Sequence, residues 1–119
     1  MSKLLALDQS SKVTGVAIFE DGKLLKYSKI DVDGELPYRL MIIRNKIKEI
    51  IETENITEAA IEDIQMQANV VNNVETYRTL AEVRGVLEEL FQELKIPYSI
   101  VLAGTWKSKL GIRGRDRAS

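Results

Sequence analysis

The sequence predicts a single α/β domain, spanning residues 1–119, with a five-stranded mixed sheet flanked by helices. Three observations support this prediction. Short apolar segments alternate with polar turns over residues 3–31, which is typical of three antiparallel strands. Two longer segments with apolar residues at three- and four-residue spacings predict amphipathic helices. A short apolar segment follows each helix, so the order of elements is βββαβαβ, with strands four and five parallel to the first.

The first two strands form the stretch on which the rest of the chain is organised. The apolar run 4–7 suits a strand that is covered on both faces. It ends at Asp8, and residues 9–12 are turn formers. A second, partly β-branched strand is predicted over 13–19, and Asp21-Gly22 is a hairpin signal that closes it.

The third strand and the first helix come next. Residues 23–31 alternate in the manner of an edge or half-exposed strand, with Leu25 and Tyr27 on one side. A helix is predicted over 36–54, because Pro37 is tolerated in a first helical turn. Its apolar stripe consists of Leu40, Ile43, Ile47, Ile50 and Ile51, and Asn55 ends it.

The fourth strand is predicted over residues 58–64 and carries two acids near its C-terminal end. Adjacent residues on a strand point to opposite faces, so only one of Glu62 and Asp63 can share a site with Asp8. If strands one and four are neighbours, Asp8 and Glu62 lie side by side. Ligands bind outside the C-terminal ends of parallel strands, and two carboxylates that meet there repel unless a cation lies between them.

The second helix is predicted over residues 70–95 and precedes a last strand at 98–102. Its apolar stripe consists of Val74, Tyr77, Ala81, Leu87, Leu90, Phe91 and Leu94. Gly85 costs about 1 kcal/mol inside a helix, so it indicates close packing against the sheet or against a helix of a second subunit. One or two helical turns are expected over 103–110, followed by a mobile loop.

The composition excludes several kinds of chemistry. The chain has no cysteine and no histidine, which removes thiolate nucleophiles, Ser-His triads and most zinc sites. Carboxylate oxygens favour Mg²⁺ or Mn²⁺. No apolar run approaches the length of a membrane span and no signal peptide is evident, so we expect a soluble, cytoplasmic protein without a membrane partner.

Charge is concentrated at the C-terminal end of the sequence. The net charge is −1, but residues 105–119 contain five basic side chains and one acid, Asp116. A basic end on an acidic body suits contact with phosphates, and a solvated, frayed terminus is an equally good interpretation. The basic residues are Lys107, Lys109, Arg113, Arg115 and Arg117.

Asp8 and Glu62 have two possible roles. Asp8 alone is a common strand-end cap and Glu62 alone is a solvated acid. Together, at the ends of adjacent apolar strands, they match the needs of two-metal phosphoryl chemistry, in which cations about 4 Å apart activate a water and stabilise the leaving oxygen. Such chemistry needs no histidine.

Four segments together resemble the RuvC-type Holliday junction resolvases of the ribonuclease H-like superfamily, and the resemblance is to a divergent, phage- or prophage-encoded member. They are LALDQSSKVTGVA at 5–17, AIED at 60–63, TLAEVRGV at 79–86 and VLAGTWK at 101–107. The resemblance spans nearly the whole chain, and the order and spacing of the segments make chance similarity improbable. It implies a ribonuclease H-like fold.

The resemblance also implies a function. In that family, the acids that match Asp8 and Glu62 are catalytic metal ligands for Mg²⁺ or Mn²⁺, and the protein is a homodimeric endonuclease that nicks branched DNA. The helix that matches 70–95 helps to form the dimer, and close approach of a second helix there would explain the glycine at position 85. Basic residues after the fifth strand contact DNA; Lys107 matches one of them and Arg117 is a second candidate.

Two departures from the family pattern qualify these expectations. The family supplies two further aspartates from a C-terminal helix, which would begin near Ser119, and Asp116 does not match them. Half of the expected metal cage is therefore missing, and whether the chain is active stays open. Gln65 and Met66 stand where well-known resolvases place an aromatic wedge, so a broader preference for branched DNA is expected.

Three alternatives stay open at this point. An actin-like sugar kinase or ATPase also carries an aspartate after its first strand, but it needs a second phosphate loop and roughly twice this length. The same fold without the metal cage would be a non-catalytic nucleic-acid-binding module. A YqgF-type nuclease would act on RNA.

Overall fold

The protein forms a five-stranded mixed sheet with the strand order β3-β2-β1-β4-β5. The structure is a computed structural model and describes residues 2–9, 13–62 and 74–101. The elements, in chain order, are β1 (Lys3–Gln9), β2 (Val13–Glu20), β3 (Lys23–Asp31), α1 (Leu36–Glu54), β4 (Glu58–Glu62), α2 (Val74–Leu94) and β5 (Tyr98–Val101). Strands β1, β2 and β3 pair antiparallel, whereas β4 pairs parallel with both β1 and β5. This confirms the predicted fold class.

The hairpin between β2 and β3 forms where the sequence predicts it. Asp21 and Gly22 both adopt positive φ angles, of 52° and 85°. Positive φ at both central residues defines the two-residue turn whose twist matches that of the flanking strands. Glycine adopts this conformation without steric cost, and aspartate tolerates it better than most residues. The predicted bounds of β3 are confirmed, and β3 lies at the edge of the sheet.

Strand β1 is longer than predicted. Asp8 and Gln9 belong to the strand, because the antiparallel pairing with β2 continues through Asp8 with Gly15 and Gln9 with Thr14. The Thr14 hydroxyl also donates a hydrogen bond of 2.8 Å to the Gln9 side-chain oxygen. The interpretation of Asp8 as the residue that ends the strand and of Gln9 as a turn former was therefore wrong. The rest of the predicted turn lies outside the described residues.

The first helix has the predicted bounds, and its predicted apolar stripe faces the core. Ile43, Ile47 and Ile51 are buried, and Leu40 and Ile50 are partly buried against the same core. Asn55 adopts the left-handed conformation with φ 58° and closes the helix through a backbone hydrogen bond to Ile51. The expected end at Asn55 is confirmed.

The second helix differs from its prediction in two respects. Val83 is buried and was missed, whereas Ala81 is exposed. Gly85 is also exposed, and a Cβ added there would meet nothing within 4 Å, so close packing of Gly85 on the sheet is wrong. A helix from a second subunit stays a prediction. Leu87, Leu90 and Phe91 are buried as expected.

The remaining predictions concern element ends. β4 ends at Glu62 and β5 at Val101 among the described residues, while the predicted extensions to 64 and 102 lie outside them. The start of the second helix at 70–73 and the helical turns at 103–110 also lie outside the described residues. In the part of the chain that the structure describes, no helix is long and apolar enough to cross a membrane.

The two faces of the sheet differ in how they are packed. Both helices pack on one face, where the main core contains Leu5, Leu7, Ile61 and the buried residues of α1 and α2. The opposite face carries a smaller buried cluster of Ala6, Ala17 and Phe19. Because side chains alternate along a strand, Asp8 lies on the face of Ala6, not on the face of the main core.

Candidate active site

The candidate site lies at the C-terminal ends of β1 and β4. Leu7 pairs with Ile61 in the parallel ladder, and Asp8 and Glu62 are the next residues along the two strands. Ala6 pairs with Ala60, so the residues two positions further along, Asp8 and Glu62, share the same face of the sheet. Neighbouring strands are about 4.8 Å apart, which brings the two acids side by side. The juxtaposition expected from the topology is thus present.

The surroundings of the two acids combine partial burial with access. Asp8 and Glu62 are both intermediate in exposure. Half-buried carboxylates retain part of their water and can exchange it for a cation, whereas a fully buried, unpaired carboxylate would protonate instead. Strand β5 lies on the other side of β4, where Val101 pairs with Glu62.

Gly15 lies opposite Asp8 on β2 and was missed as a site residue. A Cβ added at Gly15 would lie 3.4 Å from Asp8 Cβ and 2.8 Å from the hydroxyl oxygen of Tyr27. The absence of a side chain therefore lets the Tyr27 hydroxyl lie over Gly15, next to Asp8. The sequence did hold a signal, because an isolated glycine within an apolar strand indicates close approach of another group.

A divalent cation fits the two carboxylates. Mg²⁺ usually binds to one or two protein carboxylates and completes its shell with waters and substrate phosphates. Asp8 and Glu62 supply such a pair. Among the described residues, no group of three or more acidic, histidine or cysteine side chains could hold a metal. Their role as ligands of Mg²⁺ or Mn²⁺ stays a prediction.

The other predicted site residues cannot be placed in this geometry. The basic residues expected to contact DNA lie outside the described residues, namely Lys107, Lys109, Arg113, Arg115 and Arg117. Asp63, the other acid considered at the end of β4, also lies outside them.

One open cavity of about 330 Å³ lies between β3 and α1. Its charged lining residues are Lys29 and Asp31 of β3 and Lys46 and Glu49 of α1, two cations and two anions. Neither Asp8 nor Glu62 borders this cavity, and its balanced charge favours no ligand. The carboxylate pair is therefore the better candidate for chemistry.

Comparison with known proteins gives a structural likeness without a sequence match. No family model and no curated protein matches the chain. A solved structure of Thermus thermophilus RuvC in complex with a Holliday junction substrate superposes with a TM-score of 0.78 and 12% identity, over 98% of this chain and 73% of that one. A further Thermus thermophilus RuvC structure gives a TM-score of 0.72 and 15% identity, over 94% and 70%.

A eukaryotic protein shows the same likeness. The yeast mitochondrial Holliday junction resolvase Ydc2 superposes with a TM-score of 0.62 and 17% identity, over 96% of this chain and 57% of that one. At such identities the likeness concerns the fold. The chain has the ribonuclease H-like fold of the RuvC-type Holliday junction resolvases, as its four sequence segments predict.

Proposed function

We propose that the protein is an endonuclease that nicks Holliday junctions or other branched DNA by metal-dependent hydrolysis of a phosphodiester. The observation that carries the proposal is the placement of Asp8 and Glu62 on one face, at the C-terminal ends of adjacent parallel strands. The fold supports it, because it is similar to that of a RuvC whose structure contains a Holliday junction substrate.

The chemistry follows from the two acids. Asp8 and Glu62 would hold Mg²⁺ or Mn²⁺. Bound there, the cations would lower the pKa of a water and stabilise the leaving oxygen. The chain's own contribution is to fix both carboxylates on rigid strands.

Binding of DNA is expected to use the basic end of the sequence as well. Five cations close together neutralise phosphates and release counterions, which gives affinity without sequence preference. We propose phosphate contacts for Lys107, Lys109, Arg113, Arg115 and Arg117.

We also propose a homodimer through the helix predicted over 70–95. On α2, Ala81 and Gly85 are exposed one helical turn apart, so two small residues lie on a surface that faces away from the sheet. Small residues permit close approach of a second helix backbone. A symmetric junction substrate is matched by a two-fold symmetric enzyme.

A second candidate is a non-catalytic module that binds branched nucleic acid. It is favoured by one observation: the described residues bring together two acids but no third. A third candidate is an RNA-directed nuclease of the same fold. It differs from the first two in its substrate, because it would prefer structured RNA.

A nicking assay on variants tests the proposal. Labelled four-way junction, linear duplex and hairpin RNA are incubated with the full chain in Mg²⁺, in Mn²⁺ and in EDTA. We expect Asp8→Asn and Glu62→Gln to abolish nicking of the junction and to retain junction binding. Glu58→Gln is the matched control, because Glu58 lies on the same strand and face as Glu62 but at its other end.

Three outcomes contradict the proposal. Nicking by the Asp8→Asn variant at the wild-type rate shows that the site is elsewhere. Tight junction binding without nicking in either metal identifies the non-catalytic module. Preferential cleavage of the hairpin RNA identifies an RNA-directed nuclease.

A further inference from the structure

Asp8 belongs to a row of paired residues that runs across β1, β2 and β3, on the side of β1 away from Glu62. Asp8 pairs with Gly15 on β2, and Gly15 pairs with Lys29 on β3. Residues that pair across a sheet point to the same face, so Lys29 lies on the face of Asp8, two strands away. At about 4.8 Å between strands, the backbones of Asp8 and Lys29 are about 10 Å apart. Along this row of paired residues, Gly15 is the position between them.

Tyr27 lies on the same face and reaches into this row. It pairs with Ala17, which is two residues after Gly15 on β2 and therefore on the same face. Its hydroxyl oxygen lies 2.8 Å from the position that a Gly15 Cβ would occupy, and Asp8 Cβ lies 3.4 Å from that position. The Tyr27 hydroxyl thus lies over Gly15, beside the candidate catalytic acid.

The polar groups of Tyr27 and Lys29 are uncommitted in the part of the chain that the structure describes. The Tyr27 side chain is 52% exposed and its hydroxyl has no hydrogen-bond partner there, and Lys29 is exposed without an ion pair there. Lys26 of the same strand is different. It pairs with Ile18, on the helix side, and its ammonium lies 2.5 Å from Glu54. Tyr27 and Lys29 therefore present donors without a partner among the described residues on the face of Asp8.

We propose that Tyr27 and Lys29 form a subsite for a DNA phosphate beside the candidate catalytic acids. This inference rests on the proposed function. The Tyr27 hydroxyl donates a hydrogen bond to a phosphate oxygen, the Lys29 ammonium neutralises its charge, and Gly15, which has no side chain, leaves room for the Tyr27 hydroxyl beside Asp8. The negative charge of a phosphate is the complement of two donors that have no acceptor among the described residues.

A purely structural role is the competing explanation for Tyr27. An aromatic ring on an edge strand can cover a neighbouring glycine and stabilise the sheet. In that role the ring matters and the hydroxyl does not. Tyr27→Phe separates the two explanations, because it keeps the ring and removes only the donor.

Binding in EDTA tests the subsite without any contribution from metal or catalysis. The affinity of the full chain for a labelled four-way junction is measured by anisotropy between 50 and 200 mM salt. We expect Tyr27→Phe to weaken binding about tenfold with an unchanged Tm. We expect Lys29→Gln to lower the slope of log affinity against log salt by about one. Lys26→Gln, the matched control on the other face, should leave that slope unchanged.

A spectroscopic readout complements binding. In protein with ¹³C-labelled tyrosine Cζ, the Tyr27 resonance is the one that Tyr27→Phe removes. Addition of junction DNA is expected to shift this resonance, because the hydroxyl changes its hydrogen-bond partner. Lys29→Gln should leave the free-state resonance in place.

The outcomes separate failure of the subsite from failure of the proposed function. If wild-type protein binds the junction while Tyr27→Phe and Lys29→Gln match it in affinity and salt slope, the subsite is wrong and the proposed function stands. If wild-type protein does not bind branched DNA at all, both are overturned. A lowered Tm with unchanged affinity in Tyr27→Phe would assign Tyr27 to the structural role alone.

Discussion

Leu7 and Ile61 are partners in the parallel ladder between β1 and β4, and they are the last pair before the two acids of the candidate site. Both are fully buried, with 0% of their surface exposed. Packing of Leu7 and Ile61 in the main core fixes the strand register, and the register fixes Asp8 beside Glu62. The geometry of the candidate metal site therefore depends on hydrophobic packing one residue away from it.

The first prediction concerns metal affinity. Removal of one carboxylate from a two-carboxylate site should weaken Mn²⁺ binding about tenfold or more, because few protein ligands remain. We expect this for Asp8→Asn and for Glu62→Gln, measured by titration calorimetry without DNA. Glu58→Gln should bind Mn²⁺ as the wild type does. Unchanged affinity in both site variants would show that the cation binds elsewhere.

The second prediction concerns association through α2. Gly85→Arg should fold normally, since a Cβ at Gly85 meets nothing within 4 Å and arginine favours helix by about 1 kcal/mol over glycine. If α2 forms the proposed dimer, the arginine separates the two helices and light scattering should report a monomer. Met41→Arg, at an exposed position of α1, is the control and should stay dimeric. A dimer in Gly85→Arg, or a monomer in the wild type, would contradict the proposed interface.

Much of the fold could be predicted because its signals are local. The bounds of β3 and α1 follow from turn residues and from Asn55, whose left-handed φ of 58° ends the helix. The end of β1 could not be predicted in this way. Gln9 is a residue type common in turns, but its pairing with Thr14 on β2 keeps it in the strand. That pairing depends on the register of the two strands, which residue composition does not specify.

The candidate site was predictable in part. Asp8 and Glu62 were expected side by side on the condition that β1 and β4 are neighbours. Helix α1 links β4 to β3 and does not fix that condition, which the strand order β3-β2-β1-β4-β5 meets. The approach of the Tyr27 hydroxyl to Gly15 has no local signal either. It depends on the register of three strands and on the direction of the Tyr27 side chain, which the sequence pattern of a single strand does not contain.

The third prediction concerns pH and the contact between β5 and α2. The Tyr98 hydroxyl donates a hydrogen bond of 2.8 Å to Glu88, and Arg84 donates another of 2.8 Å to the second oxygen of the same carboxylate. The hydrogen bond from Arg84, followed by that from Tyr98, lowers the pKa of Glu88 below its usual value of 4.5. The bond to Glu88 raises the pKa of Tyr98 above its usual value of 10.0.

The two shifts define the pH range over which the contact stabilises the fold. The Glu88 contribution is full above pH 4.5 and is lost as the pH falls through the lowered folded pKa. The Tyr98 contribution is full below pH 10.0 and is lost as the pH rises through the raised folded pKa. Urea unfolding should therefore find Tyr98→Phe less stable than the wild type by a constant amount between these limits, and the difference should shrink outside them. A difference that does not change with pH would show that the hydroxyl does not interact with ionised Glu88.

The last prediction concerns the end of α2. Lys95 has a φ of 58°, and the N–H of Ile96 donates a hydrogen bond of 2.9 Å to the carbonyl of Phe91. Helix α1 ends in the same way, with Asn55 at a φ of 58° and Ile56 bonded to Ile51. Asparagine tolerates the left-handed conformation, whereas lysine is strained in it by about 1–2 kcal/mol.

Lys95→Gly should therefore stabilise the protein. Relief of strain outweighs the greater freedom of glycine in the unfolded chain, for a net gain of about 0.5–1 kcal/mol in the free energy of unfolding. Urea unfolding should show a higher midpoint with an unchanged m-value. Lys95→Ala is the matched control, because it removes the same side chain but retains a Cβ at positive φ, and it should bring no gain. Equal stabilisation by alanine and glycine would show that the lysine side chain, and not its backbone conformation, is the source of the effect.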